Sequence, residues 1–205
     1  MKNFTNLIII DASGSMGSKR PEVVGGLKQL FKDIKKEASP EVNTTTIVVD
    51  FANSNDFNVL VNSNNVSQLT DNIANSYQVR GMTALYDAIG RAFKLVPKKQ
   101  DGVFVNILTD GDENDSKEFK FSDVKDLIAK KKAKKWAITF MGTTEESLKD
   151  AKAWGVADGN TYFFSNTSAG VAKSMNMSNN ARSAYYTATL TNSNVDTENL
   201  LADNG

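Results

Sequence analysis

The 205-residue chain contains no cysteine and no histidine, and only three prolines. Without cysteine there is no disulfide, no thiolate metal site and no cysteine nucleophile, and the redox compartment leaves no mark on the sequence. Without histidine the usual general base and the usual zinc or iron ligand are missing. That excludes a serine-histidine-acid hydrolase and a histidine-held zinc hydrolase. Chemistry is left to carboxylates, hydroxyls, lysines and a hard metal. Net charge is lacking as well: 24 acids balance 24 bases, so no overall field draws the chain to nucleic acid or to an anionic membrane. Long apolar runs are absent too. The run at 7–10 is cut by Asp11 before a signal-peptide core forms, and nothing approaches the roughly 20 apolar residues of a membrane helix. These absences predict a soluble, cytoplasmic protein whose partners are chosen locally.

What is present is the hydrophobic content of one ordinary domain, 40% of the residues, enough for a sizeable core. Apolar and β-branched runs predict strands at residues 5–11, 44–51, 57–61, 102–109, 136–141 and 161–164. Helical spacing predicts helices at 19–37, 66–74, 83–96, 122–134, 144–154 and 166–175, with Pro40 and Pro97 as stops and Thr167 or Ser168 as a cap. The turn-rich Asn53-Ser54-Asn55-Asp56 joins the second and third strands as a hairpin, making the third an antiparallel edge strand. The alternation predicts an α/β fold: a doubly wound, mostly parallel sheet of about six strands with helices on both faces. The domain is expected over residues 1–178. Residues 179–205, rich in Asn, Ser and Thr, are expected to be a partly flexible C-terminal extension, with 192–205 a mobile tail.

The first strand ends in Ile8-Ile9-Ile10-Asp11-Ala12-Ser13-Gly14-Ser15-Met16-Gly17. A buried parallel strand thus delivers a carboxylate and two hydroxyls at its C-terminal tip, where an open α/β sheet places its binding site. Alternate positions of a tight, glycine-containing loop turn Asp11, Ser13 and Ser15 toward one point, and these hard oxygen donors suit Mg²⁺ or Mn²⁺. Alone the run is a weak signal, because Asp and Ser are also turn and capping residues. Two further segments carry oxygen donors at strand ends or helix starts: Arg80-Gly81-Met82-Thr83-Ala84-Leu85 and Leu108-Thr109-Asp110-Gly111-Asp112.

Taken together and in this order, the three segments resemble the von Willebrand factor A domain family, over about residues 6–165. That family's metal-ion-dependent adhesion site combines a D-x-S-x-S loop, a distant threonine and a distant aspartate. The resemblance places Asp11, Ser13 and Ser15 in the first loop, Thr83 as the threonine before a helix, and Asp110 as the acid of the Thr-Asp-Gly segment. It implies Mg²⁺, with Mn²⁺ or Ca²⁺ as alternatives, held by the three hydroxyls directly and by the aspartates directly or through water. It also implies a partner protein that donates Asp or Glu to the ion, and no catalysis. The small, disulfide-free chain most resembles the stand-alone bacterial members, so a bacterial or phage-infected cell is the expected setting.

Other motifs give less. The acids of Asp110-Gly111-Asp112-Glu113-Asn114-Asp115 begin like an EF-hand, but Asp115 stands where the glycine belongs and Phe121 where the bidentate glutamate belongs. Residues 112–115 then read as a solvated acidic loop or an acidic rim. The lysines of 130–135 share a helix with Val124, Leu127 and Ile128 and read as a solvated face rather than a nucleic-acid site. Gly14-Ser15-Met16-Gly17-Ser18-Lys19 lacks the spacing of a phosphate loop. Two alternatives to the binding module stay open. One is a Mg²⁺-dependent phosphoryl-transfer enzyme with Asp11 as nucleophile, in which Ser13 occupies the place of the required acid-base carboxylate. The other is a virion or scaffold component in which the metal is structural.

Overall fold

A computed structural model of the chain describes residues 1–194 and 196–202. Its elements run β1 (Lys2–Asp11), α1 (Arg20–Glu37), β2 (Val42–Phe51), β3 (Phe57–Ser63), α2 (Asp71–Asn75), α3 (Leu85–Leu95), β4 (Gly102–Leu108), α4 (Phe121–Lys132), β5 (Ala137–Gly142), α5 (Glu145–Ala153), β6 (Thr161–Phe163) and α6 (Ser168–Thr191). A 3-10 segment, Gly14–Lys19, links β1 to α1. The six strands are ordered β3-β2-β1-β4-β5-β6. All neighbours pair in parallel except β2 and β3, which are antiparallel. The expected doubly wound sheet with one antiparallel edge strand is therefore present, and its order reverses between β1 and β4.

Side chains alternate across the sheet, so β1 feeds two cores. Phe4, Ile8 and Ile10 join a cluster with α1, α2 and α6. Leu7 and Ile9 join the opposite cluster with α3, α4 and α5. Both faces of the central strands are covered, which is why β4 and the second half of β1, Leu7 to Ile10, are almost continuously apolar. No helix among the described residues is long and apolar enough to cross a membrane.

The largest departure from expectation is α6, which runs through Thr191 rather than ending near 175 and so crosses the expected domain boundary at 178. Its second half is polar in composition, yet Met177, Ala181 and Tyr185, four residues apart, face the core. There Phe4 meets the Tyr186 ring edge-on, 5.0 Å between centroids. Arg182 is buried and forks onto the Glu37 carboxylate at 2.8 and 3.0 Å, fastening α6 to the end of α1. Beyond the helix, Leu200 and Leu201 are buried, and the Leu200 amide donates to Asn160 Oδ1 at 2.8 Å. Of the tail expected at 192–205, residue 195 and residues 203–205 lie outside the described residues.

Two adjacent glycines in α1 separate packing from helix propensity. A Cβ on Gly26 would lie 2.7–2.8 Å from the Met175 side chain, whereas one on Gly25 meets nothing within 4 Å. Gly25→Ala should stabilise the protein by up to about 1 kcal/mol through helix propensity. Gly26→Ala should destabilise it by roughly 1–3 kcal/mol through overpacking against α6. Denaturant unfolding of both variants checks this, and equal signs would contradict the α1–α6 packing described.

Candidate metal centre

The site lies where β1 and β4 end side by side, at the point of strand-order reversal where open α/β sheets bind ligands. Asp11, the last residue of β1, is fully buried. Its Oδ1 accepts the Ser13 amide at 2.7 Å, and its Oδ2 accepts the Thr109 hydroxyl at 2.6 Å. Burial pushes the Asp11 carboxyl up to about 6, against the lowering effect of these hydrogen bonds. From the other side the Tyr77 hydroxyl donates to the Asp11 carbonyl at 2.6 Å. Burial, followed by the nearby charges of Asp11, Asp50 and Asp110, raises the Tyr77 hydroxyl well above its ordinary range, so it stays a donor.

After Asp11 the chain turns through Ser13 and Ser15, whose hydroxyl oxygens stand 3.0 Å apart. Ser15 donates to Asp110 Oδ1 at 2.6 Å, which closes a path from the tip of β1 to the residues following β4. The loop carrying Thr83 is set against this one by backbone bonds, from Arg80 N to Ala12 O at 2.6 Å and from Gly14 N to Gly81 O at 3.1 Å. Gly81 has φ +64°, and a Cβ there would lie 2.5 Å from Asn53 Oδ1. That same oxygen accepts the Met82 amide at 2.9 Å. Thr83 is held through its backbone. Its amide donates to Asn114 Oδ1 at 2.9 Å, and its carbonyl accepts the Asn114 amide at 3.0 Å. Its hydroxyl faces Gly111, where a Cβ would sit 3.4 Å away. Among the described residues that hydroxyl makes no hydrogen bond.

Asp11, Ser13, Ser15 and Asp110 thus form one hydrogen-bonded network, with Thr83 beside it next to Gly111. Two members were not expected from the sequence. Thr109 ties the two strand ends together. Lys19, at the end of the 3-10 segment, is buried, and its ammonium donates to Asp110 Oδ2 and to the Ser15 carbonyl at 2.8 Å. Pro21 in the first turn of α1 marks the start of that helix but does not tell where residues 14–19 turn. The acids of 112–115 are more engaged than a solvated loop. Glu113 accepts the amides of Tyr86, Asp115 and Ser116, and Asp115 accepts the Ser54 amide at 2.8 Å.

The donors fit a hard divalent ion of the Mg²⁺ class: three hydroxyls and two carboxylates, all oxygen. Direct charge is sparse, since no group of three or more acidic side chains gathers as a metal cage among the described residues.

A family model for the von Willebrand factor type A domain matches residues 7–182. The chain belongs to that family. No curated protein sequence matches it significantly. Among solved structures it is similar to the vWF domain of the type V pili tip protein Mfa5 from Porphyromonas gingivalis. That match has TM-score 0.67 and 8% identity and covers 90% of this chain and 96% of that one. Proximal thread matrix protein 1 from the mussel byssus matches with TM-score 0.59 and 17% identity, over 87% of this chain and 45% of that one. The PilB minor pilin from Streptococcus sanguinis matches with TM-score 0.58 and 12% identity, over 93% of this chain and 62% of that one. The chain therefore spans less than two thirds of the last two proteins. At these identities the likenesses establish the fold.

The loop geometry depends on Gly81 and little on the Thr83 hydroxyl. Gly81→Ala should lower stability by about 2 kcal/mol or more, through its left-handed backbone and the clash with Asn53. Thr83→Ala should lower it by about 1 kcal/mol or less. Thermal and denaturant unfolding of the two variants provide the comparison.

Proposed function

We propose that the chain is a metal-dependent protein-binding module. In this reading Ser13, Ser15, Thr83 and Asp110, with Asp11 bonding through water or directly, hold Mg²⁺, and an Asp or Glu of a partner protein completes the site. The observation that carries it is the single network from Asp11 through Ser13 and Ser15 to Asp110 at the reversal point of the sheet, with the unbonded Thr83 hydroxyl at its edge. Family membership supports it, since von Willebrand factor type A domains are generally protein-interaction modules. A bound ion would supply an electrophilic position for an anionic oxygen. The chain's own residues prepare that position. Thr109 and the Ser13 amide hold the Asp11 carboxylate still, and Ser15 orients Asp110.

The phosphoryl-transfer alternative is less well supported. Both Asp11 oxygens are committed to hydrogen bonds in a fully buried position, and the residue two positions on is Ser13, which cannot act as an acid-base group near neutral pH. No turnover of a generic phosphate ester with Mg²⁺ is expected. Turnover that disappears in Asp11→Asn would replace the binding reading with the enzymatic one.

The decisive test is a binding assay on a partner captured with immobilised protein in millimolar Mg²⁺. Binding should be lost in chelator and in Thr83→Ala, whose fold is expected to persist. It should also be lost when one acidic surface residue of the partner is changed to alanine. Binding that survives chelator and Thr83→Ala alike would place the interaction surface elsewhere.

A further inference from the structure

Among the described residues, Lys19 is the buried cation at the strand ends. Its side chain is 4% exposed, and that of its partner Asp110 is 0% exposed. A buried ammonium is costly unless it is paired and its protons are bonded. Here it is both, through Asp110 Oδ2 and the Ser15 carbonyl. Since Ser15 donates to Asp110 Oδ1, each oxygen of that carboxylate accepts a hydrogen bond from within the chain. With Asp11 and Asp110 ionised, Lys19 reduces the charge of the site from two negatives to one. A divalent ion binding Asp110 comes close to the ammonium and competes with it for that carboxylate. Once it is bound, two positive centres stand close together around one aspartate.

We propose that Lys19 is a resident counter-ion that sets the site's threshold for metal, making a bare divalent ion bind weakly and making its binding depend on an incoming carboxylate. This rests on the metal-dependent reading given above. The excess positive charge created when the ion enters is relieved by an anionic ligand, so metal and acidic ligand bind cooperatively, each tightening the other by the same factor. Without Lys19 the two aspartates alone balance the ion, and the need for the ligand falls.

The test uses Mn²⁺ as the probe, its free concentration read by electron paramagnetic resonance and its binding heat by calorimetry. Wild type, Lys19→Met and Lys19→Gln are compared, with and without saturating acetate. Circular dichroism confirms the fold of each variant. Removing a unit charge a few ångströms from the ion should tighten Mn²⁺ binding by about tenfold or more in both variants. Acetate should tighten it in the wild type and have a smaller effect in the variants. The wild-type acetate measurement needs no substitution, so it judges the proposal even where a variant fails to fold, and no tightening by acetate overturns it. Mn²⁺ affinity that is unchanged or weaker in folded Lys19 variants also overturns it while leaving the metal-dependent reading in place. Failure of the wild type and folded variants alike to bind Mn²⁺, with or without acetate, removes both.

Discussion

The hydrogen bond from the Thr109 hydroxyl to Asp11 Oδ2 is the constraint on which the candidate site depends. It joins the tips of two neighbouring parallel strands whose following loops leave in opposite directions, since the sheet order reverses between them. A carboxylate with no exposed surface needs such a bond, because desolvation is otherwise uncompensated. Once Asp11 is anchored, its other oxygen receives the Ser13 amide. That bond turns the chain toward Ser15, and Ser15 reaches Asp110 on the far strand. The Thr83 loop then packs onto the same turn through Gly14 and Gly81. Three segments spread over about a hundred residues of sequence meet around one buried carboxylate that needs partners.

How far this was legible in the sequence follows from which forces leave local marks. The central strands are legible because burial on both faces produces unbroken apolar runs. Asp11 is conspicuous because it ends one of them. The placement of Ser13, Ser15, Thr83 and Asp110 came from the ordered combination of three short segments, since none is distinctive alone. Lys19 was not legible. A lysine before a helix ordinarily belongs to the surface, and only the return of residues 14–19 over the strand ends buries it. Glu113 was hidden for a related reason. An acid in an acidic loop reads as solvated until the amides of Tyr86, Asp115 and Ser116 converge on it.

The C-terminal third shows the opposite failure, where composition misled and periodicity would have served. The Asn, Ser and Thr of residues 179–205 point to a partly flexible extension. Yet Met177, Ala181 and Tyr185 keep a four-residue spacing, and small residues between them let α6 lie close to α1. That closeness is what places Met175 over Gly26 and lets Arg182 reach Glu37. Small polar residues are depleted from helices by propensity, but they are well suited to a helix that must approach another. Tertiary packing overrides the local preference here, and the apolar spacing is its only trace.

The low identities to structurally similar domains, 8% to Mfa5 and 17% to the mussel byssus protein, show how little particular sequence the fold requires. A fold that survives such replacement is defined by sheet order, burial pattern and the meeting of strand tips, and none of these distinguishes one partner from another. In the proposed metal-dependent reading, partner choice would be carried by what surrounds the strand tips. In this chain the immediate surroundings are unlike one another. The buried ammonium of Lys19 adjoins Asp110. In the loop that carries Thr83, Met82, held through its amide by Asn53, leaves an apolar side chain half exposed. A carboxylate alone is recognised by charge. In the proposed reading, a partner carboxylate flanked by an apolar group would be recognised by charge and shape together, a requirement that the fold by itself does not supply.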